Sequence, residues 1–246
     1  MSQPIIGILG GMGPRATVVF EQRLLDALEG SDQALPTIFS VNDGGIPDRT
    51  AFLTADGQDP LDRLKSNADI LLAAGANLIC MPCNTAHASP ILARLQRQGL
   101  LPIIDMPAAA IMKVERVGGK QPLVLCTRGT KDAQVYQNRS LQLKCQFPDE
   151  TEQELVDKII AGVKAGSDPS LSATELNRLI QVSDCDSVII ACTELSLIAP
   201  FLEDGSKPII DAMDALIEST VQTVLSYTKR EETKWAQTNT LSKNNT

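Results

Sequence analysis

Three short stretches of this chain occur twice, in the same order and at nearly the same separation. Pro102-Ile103-Ile104-Asp105-Met106 returns as Pro208-Ile209-Ile210-Asp211-Ala212-Met213, 106 residues later. Leu78-Ile79-Cys80-Met81-Pro82-Cys83-Asn84-Thr85 returns loosely as Val188-Ile189-Ile190-Ala191-Cys192-Thr193-Glu194, which places Cys83 and Cys192 109 residues apart. Ile8-Leu9-Gly10-Gly11-Met12-Gly13 is echoed 116 residues on by Val124-Leu125-Cys126-Thr127-Arg128-Gly129. Apolar strands resemble one another, so any one match is weak. Three in order predict two similar halves. We divide the chain into residues 1–105 with 211–228, carrying Cys83, and residues 106–210, carrying Cys192.

The pattern inside each half sets the fold class. Short apolar runs read as strands at Ile5–Leu9, Thr37–Val41, Leu78–Met81, Ile103–Ile104, Leu123–Cys126, Leu141–Cys145, Val188–Ala191 and Pro208–Ile210. Continuous apolar runs fit parallel strands covered on both faces. Between them lie helical patterns at Pro14–Leu28, Pro60–Ala74, Glu152–Ala165, Ser172–Gln181 and Asp211–Tyr227. This alternation predicts an α/β protein of two pseudo-symmetric three-layer α/β/α domains with mainly parallel sheets. Ligands of such sheets bind at the carboxyl ends of strands, here in the cleft between the domains. Residues 229–246 are polar and aperiodic, which predicts a disordered tail.

Composition narrows the function classes. Thirty acidic against 22 basic residues give a net charge of −8, which argues against a nucleic-acid binder. No apolar run reaches the ~18 residues of a membrane helix, and the first residues lack signal-peptide features. Six cysteines in 246 residues are too few for a disulfide scaffold, so a cytoplasmic setting with reduced thiols is expected. The single histidine, His87, excludes a poly-histidine metal site.

Cys83 and Cys192 each follow an apolar strand and precede small hydroxyl or amide residues. In related halves they face each other across one cleft. Two opposed thiols suit racemisation: one thiolate removes a proton from a carbon acid while the other thiol protonates the opposite face. A thiol of pKa ~8.5 needs only modest help to ionise near neutrality. Each sulfur must come within ~3.5 Å of the carbon, so the two should lie roughly 7 Å apart, too far for a disulfide.

The motifs Gly7-Ile8-Leu9-Gly10-Gly11-Met12-Gly13-Pro14, Pro47-Asp48-Arg49-Thr50, Cys83-Asn84-Thr85-Ala86-His87 and Cys192-Thr193-Glu194-Leu195 resemble those of the aspartate racemases, in the cofactor-independent aspartate/glutamate racemase superfamily. The resemblance runs from about Ile5 to Ser219. It implies a racemase without pyridoxal phosphate or other cofactor and without a metal, catalytic at Cys83 and Cys192. It also implies an L-/D-aspartate substrate, a homodimer, and substrate recognition by Asp48, Arg49 and Lys164. Gly10-Gly11-Met12 replaces the Asp-Ser motif of glutamate racemases, and Thr193-Glu194 occupies the region where they carry a histidine after the second cysteine, which favours aspartate. Arg15 and Ser196 depart from the family pattern and bear on fine specificity.

The residues also read by their chemistry. Arg49 can fork onto a carboxylate, and it sits in a loop, where binding residues concentrate. Lys164 near a helix end also suits the helix dipole without any ligand. Asn84, Thr85 and Thr193 can hold an α-carboxylate or cap helices. Thr127 and Thr130 are candidate carboxylate ligands, Met12 a candidate pocket wall, and Glu194 a partner for an ammonium group or for Cys192. His87, four residues after Cys83, is a general base or a structural group. Rivals stay open. Cys80-Met81-Pro82-Cys83 with His87 has the form of a zinc or redox C-x-x-C but lacks a second pair, and the glycines do not fit G-x-G-x-x-G. A glutamate or broad-specificity racemase, a maleate cis–trans isomerase, a decarboxylase, or a non-catalytic acidic amino-acid binder would each use part of this set.

Overall fold

The computed structural model describes residues 4–54, 57–97, 102–203, 205 and 207–243, with side chains through Tyr227. The first part of the chain runs β1 (Ile6–Gly10), α1 (Pro14–Ala27), β2 (Ile38–Asn42), α2 (Arg49–Thr54), α3 (Leu61–Ala73), β3 (Leu78–Cys80), α4 (Ser89–Arg97) and α5 (Met106–Arg116). It continues through β4 (Pro122–Cys126), α6 (Arg128–Asp132), α7 (Glu150–Ala165), α8 (Ala173–Val182), β5 (Ser187–Ala191), α9 (Thr193–Ser196), β6 (Ile209–Asp211) and α10 (Ala212–Lys243).

The strands form two separate parallel sheets, ordered β2-β1-β3 and β4-β5-β6. One further residue extends each. Ile103 bridges Ile79 beside β3, and Gln146 bridges Leu123 beside β4. With those edges included, the two orders match: β1 answers to β4, β3 to β5, β2 to the Gln146 edge, and the Ile103 edge to β6. The repeated Pro-Ile-Ile-Asp stretches thus occupy equivalent edges. Ile79 N–H donates to Pro102 O at 3.1 Å, and Val188 N–H to Pro208 O at 2.9 Å.

Side-chain alternation along each strand sorts residues into cores. Ile6, Ile8 and Cys80 of the first sheet, and Val124, Cys126, Ile189 and Ala191 of the second, share one central core with Phe20 and Leu24 of α1, Ala110 and Val114 of α5, and Leu216 of α10. The opposite faces have their own partners. Leu9 and Ile79 pack on α3 and α4 through Leu64, Leu71 and Leu95. Leu125, Val188 and Ile190 pack on α7 and α8 through Val156, Ile160 and Leu176. Each sheet is therefore covered on both faces by helices, and the two α/β/α sandwiches share their middle layer.

Four local readings are corrected. Leu141–Cys145 is not a strand: Leu141 is fully exposed, and only Leu143 and Cys145 turn inward before the Gln146 bridge. Ile103–Ile104 is a single bridge rather than a strand. Helix α7 begins at Glu150, two residues early, because Asp149 and Glu152 form a capping box over its polar first turn. Helix α10 continues past Tyr227 to Lys243, through most of the stretch read as a disordered tail. That stretch contains no glycine or proline to stop it. Residues 244–246 lie outside the described residues.

Candidate active site

The loops leaving β1, β3, β4 and β5 converge where the carboxyl ends of the two sheets meet. The first loop turns at Gly11, with φ of 93° and a position where any Cβ would strike the backbone of Asp43 at 2.2 Å. Only glycine fits there. Thr17 pins the loop, accepting from Gly11 N–H at 2.9 Å and donating to Gly13 O at 3.0 Å. Across the cleft, a Cβ on Gly129 would lie 2.8 Å from Thr50 Cα. This close approach of α6 to α2 seats Arg49 and Thr50 over the Thr127 loop.

The result is a small cavity of about 20 Å³. Cys83, Asn84, Thr85, Met12, Asp48 and Arg49 line it from the first sheet's loops. Thr127, Lys164, Cys192, Thr193 and Glu194 line it from the second's. Of the residues singled out as catalytic or substrate-binding, all but Thr130 and His87, which are buried behind the wall, thus meet at one place. It opens outward into a cavity of about 250 Å³, bordered by Arg15, Gly44, Val163 and Leu197, which shares Asp48, Arg49, Lys164 and Glu194.

The walls are rich in hydrogen-bond donors aimed inward. Arg49 is buried, and its Nη1 donates to Ile46 O at 3.3 Å and Pro47 O at 3.0 Å. Its Nε has no partner among the described residues, and neither has Asn84 Nδ2. A buried unpaired donor costs about 1–3 kcal/mol, which an anionic ligand would offset. Tyr136 fixes the Asn84 amide by donating to its Oδ1 at 2.5 Å. Thr85, Thr127 and Thr130 hydroxyls form a closed triangle with sides of 2.9, 3.0 and 3.1 Å. Thr127 also caps α6.

Asp48 and Lys164 differ from the buried set. Asp48 accepts from Ala51 N–H at 2.8 Å, capping α2, and its other oxygen lies 3.9 Å from Lys164 Nζ. Both are partly exposed, so this contact is weak and opens readily. Met12 is a buried wall residue.

The two cysteines have unlike surroundings. Cys192 Sγ donates to Glu194 Oε2 at 3.1 Å. Burial, together with the adjacent carboxylate, pushes the Cys192 thiol well above its ordinary range, while Lys164 pulls the other way. Cys192 therefore rests as a thiol with a proton acceptor already in contact. No carboxylate contacts Cys83 among the described residues. Behind it, His87 is buried and lies outside the cavity, so it braces the loop rather than meeting a ligand. Burial holds the His87 pKa below its usual value, and the neutral ring's Nδ1 donates to Cys83 O at 2.9 Å. Cys80 is a core residue pushed up to about 12 by burial, sharing a hydrogen bond with Thr220. No group of three or more metal-binding side chains occurs among the described residues.

Thr50, Ala191 and Tyr136 complete the site and were not singled out from the sequence. Thr50 and Ala191 adjoin residues that were. Tyr136 stands 52 residues from Asn84, and no local pattern announces the pair.

The cleft sets two thiols among hydrogen-bond donors, between matching parallel sheets, and the fold with this site is that of a racemase family. The chain belongs to the Asp/Glu/hydantoin racemase family, whose model matches residues 9–220. It is 27% identical over 234 residues to the broad specificity amino-acid racemase RacX of Bacillus subtilis, covering 91% of this chain and 99% of that one. Among solved structures it resembles the aspartate racemase of Picrophilus torridus, with a TM-score of 0.76 and 26% identity over 90% of this chain and 94% of that one. The Francisella tularensis glutamate racemase in complex with D-glutamate shares the fold, with a TM-score of 0.63 at 17% identity over 92% of this chain and 82% of that one. No helix among the described residues is long and apolar enough to cross a membrane.

Proposed function

We propose that the protein interconverts L- and D-aspartate by two-thiol proton transfer, without a cofactor. The observation that carries the reading is the convergence of Cys83 and Cys192 on one cavity whose buried Arg49 Nε and Asn84 Nδ2 lack partners. A dicarboxylate supplies an acceptor to each. Arg49 takes one carboxylate as a fork. Asn84 Nδ2 and the Thr85 hydroxyl take the other and stabilise the charge that develops on it as the α-proton leaves.

For one enantiomer, Cys192 gives its proton to Glu194 and, as thiolate, abstracts the α-proton, while the Cys83 thiol protonates the opposite face. For the other, the steps run backwards: the Cys83 thiolate takes the α-proton, the Cys192 thiol protonates the opposite face, and Glu194 returns its proton to Cys192. The space beside the cysteines holds about one water. An amino acid therefore enters from the outer cavity by parting the Asp48–Lys164 contact. The reading includes the two-part division of the chain, a homodimer and a cytoplasmic setting, each as the resemblance and the repeat imply.

The outer cavity favours a second reading. Its larger volume shares four wall residues with the site and would admit longer side chains, as a broad-specificity racemase requires. One experiment addresses both. Reduced protein freed of cofactors is incubated in D2O with L-aspartate, L-glutamate and a panel of neutral and basic amino acids. Loss of the α-proton is followed by NMR and the D-isomer by chiral chromatography. Exchange with D-aspartate alone supports the first reading, and comparable rates across the panel support the second. No D-isomer from any substrate would overturn both.

A further inference from the structure

Behind each cysteine, one arrangement is built twice from different residues, and none of them lines either cavity. On the Cys83 side, His87 stands four residues on and holds Cys83 O through its ring. The His87 carbonyl accepts from Arg139 Nη2 at 2.9 Å. Arg139 Nε bonds both Asp105 oxygens, at 2.7 and 3.0 Å, and Asp105 caps α5. On the Cys192 side, Ser196 stands four residues on, and its N–H donates to Cys192 O at 3.1 Å. The Ser196 carbonyl accepts from Arg23 Nη2 at 3.0 Å. Arg23 Nη1 pairs with Asp211 Oδ2 at 3.1 Å, and Asp211 accepts from Met213 N–H at the start of α10.

The arginines cross over. Asp105 follows the Ile103 edge of the first sheet, but Arg139 lies in the second sheet's connection from β4 to Gln146. Asp211 ends β6 of the second sheet, but Arg23 lies on α1, in the first sheet's connection from β1 to β2. Each cysteine loop is thus tied to the sheet it does not belong to. The Arg23–Asp211 link is sheltered, with side chains 25% and 6% exposed, and on the other side Arg139 is 14% exposed while Asp105 reaches the surface at 37%.

We infer that Arg139–Asp105 and Arg23–Asp211 are crossed clamps that set the spacing between Cys83 and Cys192, and that these four are positioning residues for proton transfer across two faces. The inference rests on the racemase reading. Racemisation needs both sulfurs near one carbon at once, and a misplacement of ~1 Å costs on the order of 10²-fold. Exchange of the α-proton with solvent needs only one sulfur. Loosening a clamp should therefore separate the two rates.

The test uses the full chain with Arg23→Gln and Arg139→Gln. Racemisation of aspartate should fall about 30- to 100-fold in each, while α-proton exchange in the remaining substrate stays within about threefold of wild type. Parallel loss of both rates, or loss of neither, would overturn the clamps. Where a glutamine variant fails to fold, the lysine variant keeps the charge, loses the fork and carries the same expectation. A second readout needs no turnover: cross-linking of Cys83 to Cys192 by 1,3-dichloroacetone, mapped by mass spectrometry. Each glutamine variant should cross-link about tenfold more slowly with single alkylation of each thiol retained, as a spacing change of ~1 Å requires. Unchanged cross-linking overturns the clamps. Efficient cross-linking in a wild type that racemises no amino acid overturns the racemase reading instead.

Discussion

The Cys83 and Cys192 loops occupy equivalent places in the two matching sheets, yet their chemistry differs. The Cys83 loop presents donors, Asn84 and Thr85, and is braced by a neutral histidine. The Cys192 loop presents a carboxylate, Glu194, in contact with its sulfur, and is braced by a serine. The matching sheets supply the geometry, two thiols at the ends of corresponding strands. The residues beside them differ, with unpartnered donors on the Cys83 side and a carboxylate on the Cys192 side. A pseudo-symmetric scaffold can in this way hold an asymmetric substrate without losing the opposition of its two thiols.

The largest effect should come from removing either thiol. Cys83→Ser and Cys192→Ser should each lower racemisation by about 10³-fold or more, within the range of a lost acid–base group. If either variant keeps full turnover, chiral chromatography will have shown that the two sides do not share the reaction. Glu194→Gln should cost about 10²-fold in turnover, since Cys192 then lacks its proton acceptor. The same change removes the carboxylate that raises the Cys192 pKa, so Cys192 should alkylate faster with iodoacetamide at fixed pH. Slower alkylation would show that Glu194 activates the resting thiol rather than holding its proton. Arg49→Lys loses the fork and keeps the charge. A loss of about 1.5 kcal/mol, or roughly tenfold, is expected in kcat/KM for aspartate but not for a neutral amino acid. Equal losses for both would remove Arg49 as the ligand of the side-chain carboxylate.

Much of this site was legible because it rests on local pattern. Cys83-Asn84-Thr85 and Cys192-Thr193-Glu194 stand at strand ends that apolar runs mark plainly, and parallel sheets gather such ends into one cleft. The repeated Pro-Ile-Ile-Asp stretches suggested two similar halves, and they lie at corresponding edges of the two sheets. What escaped was tertiary. Leu141–Cys145 has a strand's composition, but the following residue supplies only one edge bridge. Tyr136, Arg23 and Arg139 reach across 34 or more residues to Asn84, Asp211 and Asp105, and nothing in their neighbours foretells this. The length of α10 was missed because a polar stretch without periodicity reads as unstructured, although its residues are good helix formers.

The smallest effect concerns Asp105 and Asp211, the equivalent carboxylates of the two sides, which titrate in opposite directions. Burial raises the Asp105 pKa, but the bonds and charge of Arg139, with the Ala108 N–H, help leave the carboxyl below its ordinary value. Burial and the nearby Asp214 carboxylate push Asp211 up to about 6, despite Ser196, Met213 and Arg23. The signs follow by linkage. Asp105 stabilises the fold when ionised: its contribution is present above the unfolded pKa of ~3.9 and is lost as pH falls through the lower folded value. Asp211 binds its proton more tightly in the folded chain, so ionisation costs stability. That cost is absent below pH ~4, grows as pH rises through about 6, and is constant above. Thermal midpoints of Asp105→Asn and Asp211→Asn, followed against pH relative to wild type, should therefore diverge. The wild-type advantage over Asp105→Asn should grow with pH across the acid range. The advantage over Asp211→Asn should shrink by a few degrees between pH 4 and 7. Slopes of the same sign would mean that the two clamps are electrostatically alike, and that the asymmetry of the molecule ends at its cavity.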